Sequence, residues 1–301
     1  MIYHITLHFN YQITLTSYKT TDKLKILSFY TGDAQHPLYK MKVVNGRINV
    51  SVANLYRDAN YGSEIINQGL LGELVSVEDS KKDFSQIILQ DGYKGWISNY
   101  QWVPATEENF PTKVIREHFV RIHSEADPES ESLRDATIGS YLSIAGENGN
   151  WSEVILPDGL TGWVGNNIFR AFPPANRKGA VQLINEFLGY PYFWGGRSVK
   201  GFDCSGLIQT VFSLIGINLP RDSWMQQRDG TYVSDNPEDA KPGDLYFFSD
   251  TGSKITHVGM ALGGGRIVHA RGIVRLNSLF RDDPHYNEVL YKSFVDVRTF
   301  F

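Results

Sequence analysis

Shifting residues 46–172 against themselves by 67 positions lays one half on the other without a gap. Ser63 then meets Ser130, Glu64 meets Glu131, Gly72 meets Gly139 and Ser76 meets Ser143. Asp91-Gly92 meets Asp158-Gly159, Gly95-Trp96 meets Gly162-Trp163, Asn99 meets Asn166, and Phe84 falls on Trp151. Self-similarity at a fixed period means two copies of one structural unit. Each copy reads as short alternating strands, such as Asn49–Leu55 and Tyr141–Ala145, with Asp-Gly turns leading into Gly-Trp-Ile or Gly-Trp-Val. A small all-β barrel is therefore expected twice, over 46–104 and 112–172, with Trp96 and Trp163 in the barrel core or rim. Pro104–Lys113 and Phe172–Lys178, marked by proline and charge, are the expected linkers. Residues 1–45 are polar and β-prone, an N-terminal extension in which His4 and His8 are surface or packing residues without assigned chemistry.

Past residue 175 the pattern changes. Val181, Ile184 and Leu188, with Phe187 one position off, put an amphipathic helix over Arg177–Leu188, and Gly189-Tyr-Pro-Tyr ends it. The only cysteine, Cys204, stands in Gly-Phe-Asp-Cys-Ser-Gly-Leu. Without a second cysteine there is no internal disulfide, so this residue is a small buried hydrophobe or a nucleophile. Leu207, Ile208, Val211, Phe212 and Ile215 recur at helical spacing, which gives an amphipathic helix over about 203–216. Asp203 takes the N-cap position and Cys204 the first turn, where unpaired N–H groups and the helix dipole favour a thiolate.

Further on, Lys254–Leu262, then Gly263-Gly-Gly, then Arg266–Arg271 read as a β-hairpin. A three-residue loop Gly263–Gly265 pairs Leu262 with Arg266, sets His257 opposite Arg271 and His269 opposite Gly259, and points both imidazoles to one face. A two-residue loop would slip the register and separate them. Cys204, His257 and His269 then supply a nucleophile, a base and a group that orients the base, with the backbone N–H of Cys204 as an oxyanion donor.

The 301 residues carry a formal charge of −4, which gives no reason to expect nucleic acid or an anionic membrane as a partner. No run approaches the roughly 18 apolar residues of a membrane span. The N-terminus lacks a basic region followed by an apolar stretch, so no signal peptide is visible. As written the chain is expected in the cytoplasm, or in the envelope or periplasm if a signal preceded it. A monomer without cofactor or metal is expected, because His257 and His269 lack carboxylate or further thiol partners at zinc-ligand spacing.

Six segments, in order, resemble the NlpC-type papain-like cysteine peptidases of bacterial cell-wall metabolism. They are Tyr190-Pro-Tyr-Phe-Trp-Gly-Gly, Phe202-Asp-Cys-Ser-Gly-Leu, Leu219-Pro-Arg-Asp-Ser, Pro242-Gly-Asp-Leu-Tyr-Phe-Phe, Thr256-His-Val-Gly-Met and Val268-His-Ala. With the duplicated unit in front, the chain resembles the γ-D-glutamyl-L-diamino acid endopeptidases that carry bacterial SH3 domains. The resemblance implies a multidomain fold, with two small all-β SH3-like barrels followed by an α+β papain-like catalytic domain over 175–301.

It also implies hydrolysis, through a thioester, of the bond between γ-D-Glu and diaminopimelate or lysine in peptidoglycan stem peptides with a free N-terminal L-Ala. Cys204 attacks, His257 is the base, His269 orients it, and the Tyr192 hydroxyl is the second oxyanion donor. Asp203, and Glu64 with Tyr93 from the first repeat, meet the substrate ammonium, which needs a carboxylate away from water. Glu73 is the rival to Glu64 in that role. Arg221 and Ser223 line the pocket near the D-Glu carboxylate. Asp222, between them, either joins the pocket or caps a helix Ser223–Arg228. Ser205 and Trp194 flank the nucleophile. Tyr93 has Leu160 as its repeat counterpart, so the two copies are expected to do different jobs. Two other readings use the same residues: a broader cell-wall amidase or acyltransferase, and a wall-binding protein with an inactive catalytic domain.

Overall fold

The structure is a computed structural model that describes residues 6–9, 11–14, 44–105 and 112–301. His4 and most of the N-terminal extension lie outside the described residues. Within it, β1 (Thr6–Phe9) and β2 (Tyr11–Thr14) pair as an antiparallel hairpin.

The repeat is visible in the backbone. The first copy contains β3 (Val44–Ile48), β4 (Val52–Tyr56), β5 (Ile65–Leu70), β6 (Leu74–Lys81), β7 (Phe84–Ile88), β8 (Lys94–Ser98) and β9 (Trp102–Pro104). The second contains β10 (Thr112–Val114), β11 (Phe119–His123), β12 (Ser132–Thr137), β13 (Tyr141–Asn148), β14 (Trp151–Ile155) and β15 (Thr161–Gly165). Every end of β4 to β8 recurs 67 residues later in β11 to β15. The sheets run β5-β4-β8-β7-β6-β3-β9 and β12-β11-β15-β14-β13-β10. Both carry a bulge at the same place, between Val77 and Asp79 and between Ile144 and Gly146. Each encloses its own apolar cluster, around Leu55, Ile87 and Ile97 in one and Ile122, Val154 and Val164 in the other.

Two expected boundaries move. The strand expected over Asn49–Leu55 is interrupted at 49–51, because β3 pairs with β6 and β9 whereas β4 pairs with β5 and β8. The chain has to leave one pair of neighbours to join the other. The expected linkers are also shorter: Thr112 and Lys113 lie in β10, paired with Ser143 and Leu142. Arg177 and Lys178 begin α1 (Arg177–Glu186), capped by Asn176.

The C-terminal part continues with β16 (Arg197–Ser198), β17 (Gly201–Phe202), α2 (Cys204–Leu214), α3 (Ser223–Asp229), β18 (Thr231–Ser234), β19 (Leu245–Phe248), β20 (His257–Gly263), β21 (Arg266–Arg271), β22 (Ile273–Ser278), α4 (Glu288–Ser293) and β23 (Phe294–Thr299). Its antiparallel sheet has the order β18-β23-β19-β20-β21-β22. Leu207, Ile208, Val211 and Phe212 of α2 share one core with Val258, Met260, Val268 and Ala270 of the sheet. The helix is not amphipathic as expected; only Ser213 of its residues escapes burial. Its polar side is covered as well, with Gln209 donating to Asp91 of the first copy at 2.8 Å and Thr210 to the Arg197 carbonyl at 3.0 Å.

The histidine hairpin reaches the expected register by a different route. The turn is Gly264-Gly265, with Gly263 paired to Arg266, so the loop has two residues rather than three. Both turn glycines have positive φ (59° and 73°), as a tight primed turn requires. A bulge between Ala261 and Gly263 takes up the one-residue slip, and Met260 faces Val268 as the three-residue loop would have set it. Both histidines therefore keep a common face.

Gly72 and Gly139 occupy equivalent left-handed turns (φ 79° and 84°). A Cβ on Gly72 would lie 2.1 Å from the Tyr141 carbonyl oxygen, whereas one on Gly139 would meet only the ends of Leu70 and Leu214 side chains, at 3.2 Å and beyond. Gly139→Ala should therefore lose about 1–2 kcal/mol from backbone strain alone. Gly72→Ala should lose clearly more, because a backbone carbonyl has to move. Denaturant midpoints of the two variants check the order, and equal losses would contradict it.

Candidate active site

Cys204 is the first residue of α2, and Asp203 caps the helix by accepting from the Gly206 N–H at 2.7 Å. The other Asp203 oxygen accepts from the Gly195 N–H at 2.9 Å. Both oxygens face the guanidinium of Arg221, a buried bidentate pair. Four of the five N–H groups of Arg221 are engaged: Nη1 also donates to the Ser205 hydroxyl at 3.0 Å and Nε to Asn67 Oδ1 of β5 at 2.8 Å, which leaves one Nη2–H. Arg221 lines the same cavity as the thiol, with its paired donors on Asp203.

The thiol departs from expectation too. Burial, then the Asp203 carboxylate, push Cys204 up to about 12, against the backbone N–H of Val258, the Arg221 guanidinium and the N–H of Ser205. At neutral pH the sulfur is a thiol, not the thiolate suggested by its place at a helix tip. Among the described residues it makes no hydrogen bond to an imidazole, although Cys204 and His257 line the same cavity.

His257 opens β20 opposite Phe248. Its Nε2 lies 2.8 Å from Nδ1 of His269 in β21, and Nε2 of His269 lies 3.0 Å from Oδ1 of Asn277 in β22. Burial, then His269, Arg271 and Arg275, hold His257 well below the ordinary imidazole value. Burial takes His269 down to about 4, with Arg275 and Arg271 adding to the shift and the Asn277 bond opposing it. Both rings are neutral at pH 7. Asn277 escaped the sequence reading, because a lone asparagine in a strand carries no signal until its partner ring is placed.

A cavity of about 520 Å³ joins the remaining candidates. Tyr192, Trp194, Asp203, Ser205, Arg221, Asp222 and Ser223 line it beside Cys204 and His257, and Glu64 and Tyr93 reach in from the first β unit. His269 stands behind His257. Burial, then the nearby thiol, raise Tyr192 far above the ordinary phenol value, so its hydroxyl remains a donor. The Trp194 indole donates to Glu64 Oε1 at 2.9 Å, and the Tyr93 hydroxyl donates to Asp222 Oδ1 at 3.3 Å. Asp222 stands at the N-cap of α3 but makes no side-chain capping bond, which leaves it facing the cavity. Glu73 lies elsewhere: it is buried against Arg197 at 2.8 Å and lines a separate cavity. Arg57, Lys254 and Arg271, which the sequence did not single out, also line the reactive cavity.

Such a site can attack a carbonyl with sulfur, accept the thiol proton on an imidazole, and hold the oxyanion with O–H and N–H donors. A raised thiol also has a direct readout. Each unit of upward shift removes about nine-tenths of the remaining thiolate at neutral pH. Iodoacetamide should alkylate Cys204 at pH 7 at least about tenfold more slowly than free cysteine, with a rate still rising above pH 9. Whole-protein mass reports this one thiol, and a plateau below pH 8 would contradict the buried neutral state.

Residues 189–298, which contain the cysteine and both histidines, match the NlpC/P60 family. The gamma-D-glutamyl-L-lysine dipeptidyl-peptidase of Bacillus cereus (strain ATCC 10987) is 31% identical over 228 residues, covering 69% of this chain and 68% of that protein. The enzyme of the same name from Bacillus subtilis (strain 168) is 33% identical over 228 residues, 70% of each chain. The crystal structure of an NlpC/P60 family protein from Bacillus cereus ATCC 10987 superposes with a TM-score of 0.71 at 25% identity, over 84% of this chain and 98% of that one. With a cysteine at a helix start, two bonded histidines on the adjoining sheet and relatives aligned far beyond that sheet, this chain belongs to the NlpC/P60 family of cysteine peptidases, hydrolases that act on peptidoglycan.

Proposed function

We propose that this chain hydrolyses the γ-D-glutamyl-L-diamino acid bond of peptidoglycan stem peptides that begin with a free L-Ala. The observation that carries the reading is the polar lining of the cavity, where Glu64 bonds Trp194 and Tyr93 bonds Asp222 on the wall of the space that also holds the thiol. An ammonium leaving water needs a carboxylate, and Asp203 is already matched by Arg221. Asp222, which pairs with no cation among the described residues, is the carboxylate left to receive it, and Glu64, matched by Arg57 at 2.6 Å, lines the same cavity. The α-carboxylate of D-Glu then finds its cation among Arg221, Arg271 and Lys254, which line the same cavity, and a hydroxyl donor in Ser223.

In this reading Cys204 and His257 start neutral. Substrate displaces water from the cavity, and His257 takes the thiol proton as sulfur attacks the carbonyl carbon. The oxyanion is held by the N–H of Cys204, which has no acceptor within its helix, and by the Tyr192 hydroxyl. The amine leaves with the proton from His257, and water, deprotonated by the same imidazole, releases the acyl group from the thioester. His269 holds His257 in place throughout.

The duplicated units, over 46–104 and 112–172, are bacterial SH3 domains in this proposal, preceded by an extension over 1–45 and followed by the catalytic domain over 175–301. The first supplies the wall that stops the substrate at its amino end. The second lacks the means: Leu160, at the place of Tyr93, is half exposed and far from any polar partner role.

Acetylating the L-Ala amine of L-Ala-γ-D-Glu-L-Lys removes the charge that this lining receives. kcat/KM should fall on the order of 100-fold or more, as expected when a charge-paired group loses its partner. Liquid chromatography of the released dipeptide measures this, and equal cleavage of both peptides would overturn the assignment. Tyr192→Phe should lower kcat by roughly tenfold or more and leave KM nearly unchanged, because it removes one oxyanion donor. Cleavage of the free peptide at the unmodified rate by this variant would take Tyr192 out of the mechanism.

A further inference from the structure

The hydrogen bonds behind the base form a line with a direction. It starts at the backbone carbonyl of His285, which accepts from the Ser278 N–H at 2.8 Å and from Nδ2 of Asn277 at 3.2 Å. A carbonyl cannot donate, so the Asn277 amide has to present its NH₂ group there. Its oxygen therefore faces His269, 3.0 Å from Nε2. An amide oxygen only accepts, so Nε2 of His269 carries the hydrogen. A neutral imidazole carries one, and Nδ1 of His269 is left bare. That bare nitrogen lies 2.8 Å from Nε2 of His257, which must then be the donor. Nδ1 of His257 is left with an open lone pair. The two rings stand at 84° to each other, with centroids 4.9 Å apart, so one lone pair meets one N–H edge-on.

We propose that Asn277 is a positioning residue for the reaction: through His269 it fixes the proton of His257 on Nε2 and so keeps Nδ1 free to take the proton of Cys204. The inference deepens the peptidase reading and rests on its choice of Cys204 and His257. Asn277 touches neither thiol nor substrate cavity. When His257 becomes doubly protonated, its Nε2–H still points at the bare Nδ1 of His269, so no proton behind it has to move. The opposite polarity would place the hydrogen of His257 on Nδ1, where it blocks uptake from the thiol. A wrong tautomer in an otherwise intact catalytic group is known to be severe, up to about 10⁴ in kcat where the residue that orients the histidine is changed directly. Asn277 stands one ring further back, so a smaller effect is expected.

Nitrogen-15 spectra of the histidine rings in the full chain test this without turnover. His257→Gln and His269→Gln identify the signals. Both rings should show a protonated Nε2 and an unprotonated Nδ1 at pH 7. Asn277→Asp keeps an acceptor facing His269 and should keep both the pattern and most of kcat. Asn277→Leu removes the acceptor: the pattern at His257 should become mixed and kcat should fall by about tenfold to a hundredfold with KM unchanged. A hydrogen on Nδ1 of His257 in the unaltered protein would overturn the proposal. So would an Asn277→Leu variant, folded by circular dichroism, with unchanged spectra and kcat. The expected tautomers in a protein that cleaves no stem peptide would instead sink the peptidase reading and leave the hydrogen-bond line standing.

Discussion

The buried pair of Asp203 and Arg221 organises what lies around the sulfur. Neither charge has water to fall back on, and removing one partner of such a pair typically loses about 3–5 kcal/mol because the other is stranded. Their remaining bonds show what is assembled. Asp203 caps α2 and fixes the Gly195 N–H beside Trp194, and Arg221 holds Ser205 and reaches Asn67 in the first β unit. The nucleophile helix, an aromatic wall and a separate sheet thus share one electrostatic knot. Gln68 extends it, accepting from the Arg197 N–H at 3.1 Å and the Ser198 hydroxyl at 3.2 Å.

The duplicated units show one backbone put to two uses. The first turns Glu64 and Tyr93 toward the cavity. The second grips the outside of the C-terminal part with Arg116 Nη2 donating to both Glu186 oxygens at 2.8 and 2.9 Å and a His118 ring stacked on Phe187. The ends of β4 to β8 and β11 to β15 agree residue for residue; the side chains that face the C-terminal part differ. Divergence between the copies changed contacts and kept the five matching strands.

What was legible in the sequence was local. A fixed period located the strands of both copies, helical spacing found α2, and Asp203 declared itself as a cap by its type and place. Non-local facts were hidden. Three consecutive glycines do not say which two occupy the turn, so the bulge that rescues the histidine register could not be read. Arg221 looked like a carboxylate binder from its type; that it also holds Asp203 is a contact only the fold supplies. The helix-tip argument for a thiolate weighed roughly 0.3–1 kcal/mol of dipole stabilisation. Desolvation of a fully buried group shifts a pKa by up to about 3–5 units, each unit worth 1.36 kcal/mol, so burial wins. Burial becomes known only once the first β unit has closed over α2.

The protonated sulfur has a chemical consequence for the protein between turnovers. Peroxides and disulfides react with thiolates, and the climb from sulfenic to irreversible sulfinic acid begins with that anion. A solitary cysteine has no resolving partner to reverse the first oxidation step. Held neutral by burial and by the Asp203 carboxylate, Cys204 offers oxidants little thiolate to attack. Its reactivity is kept for the moment when a bound peptide fills the cavity, so the same burial that delays ionisation preserves the catalyst.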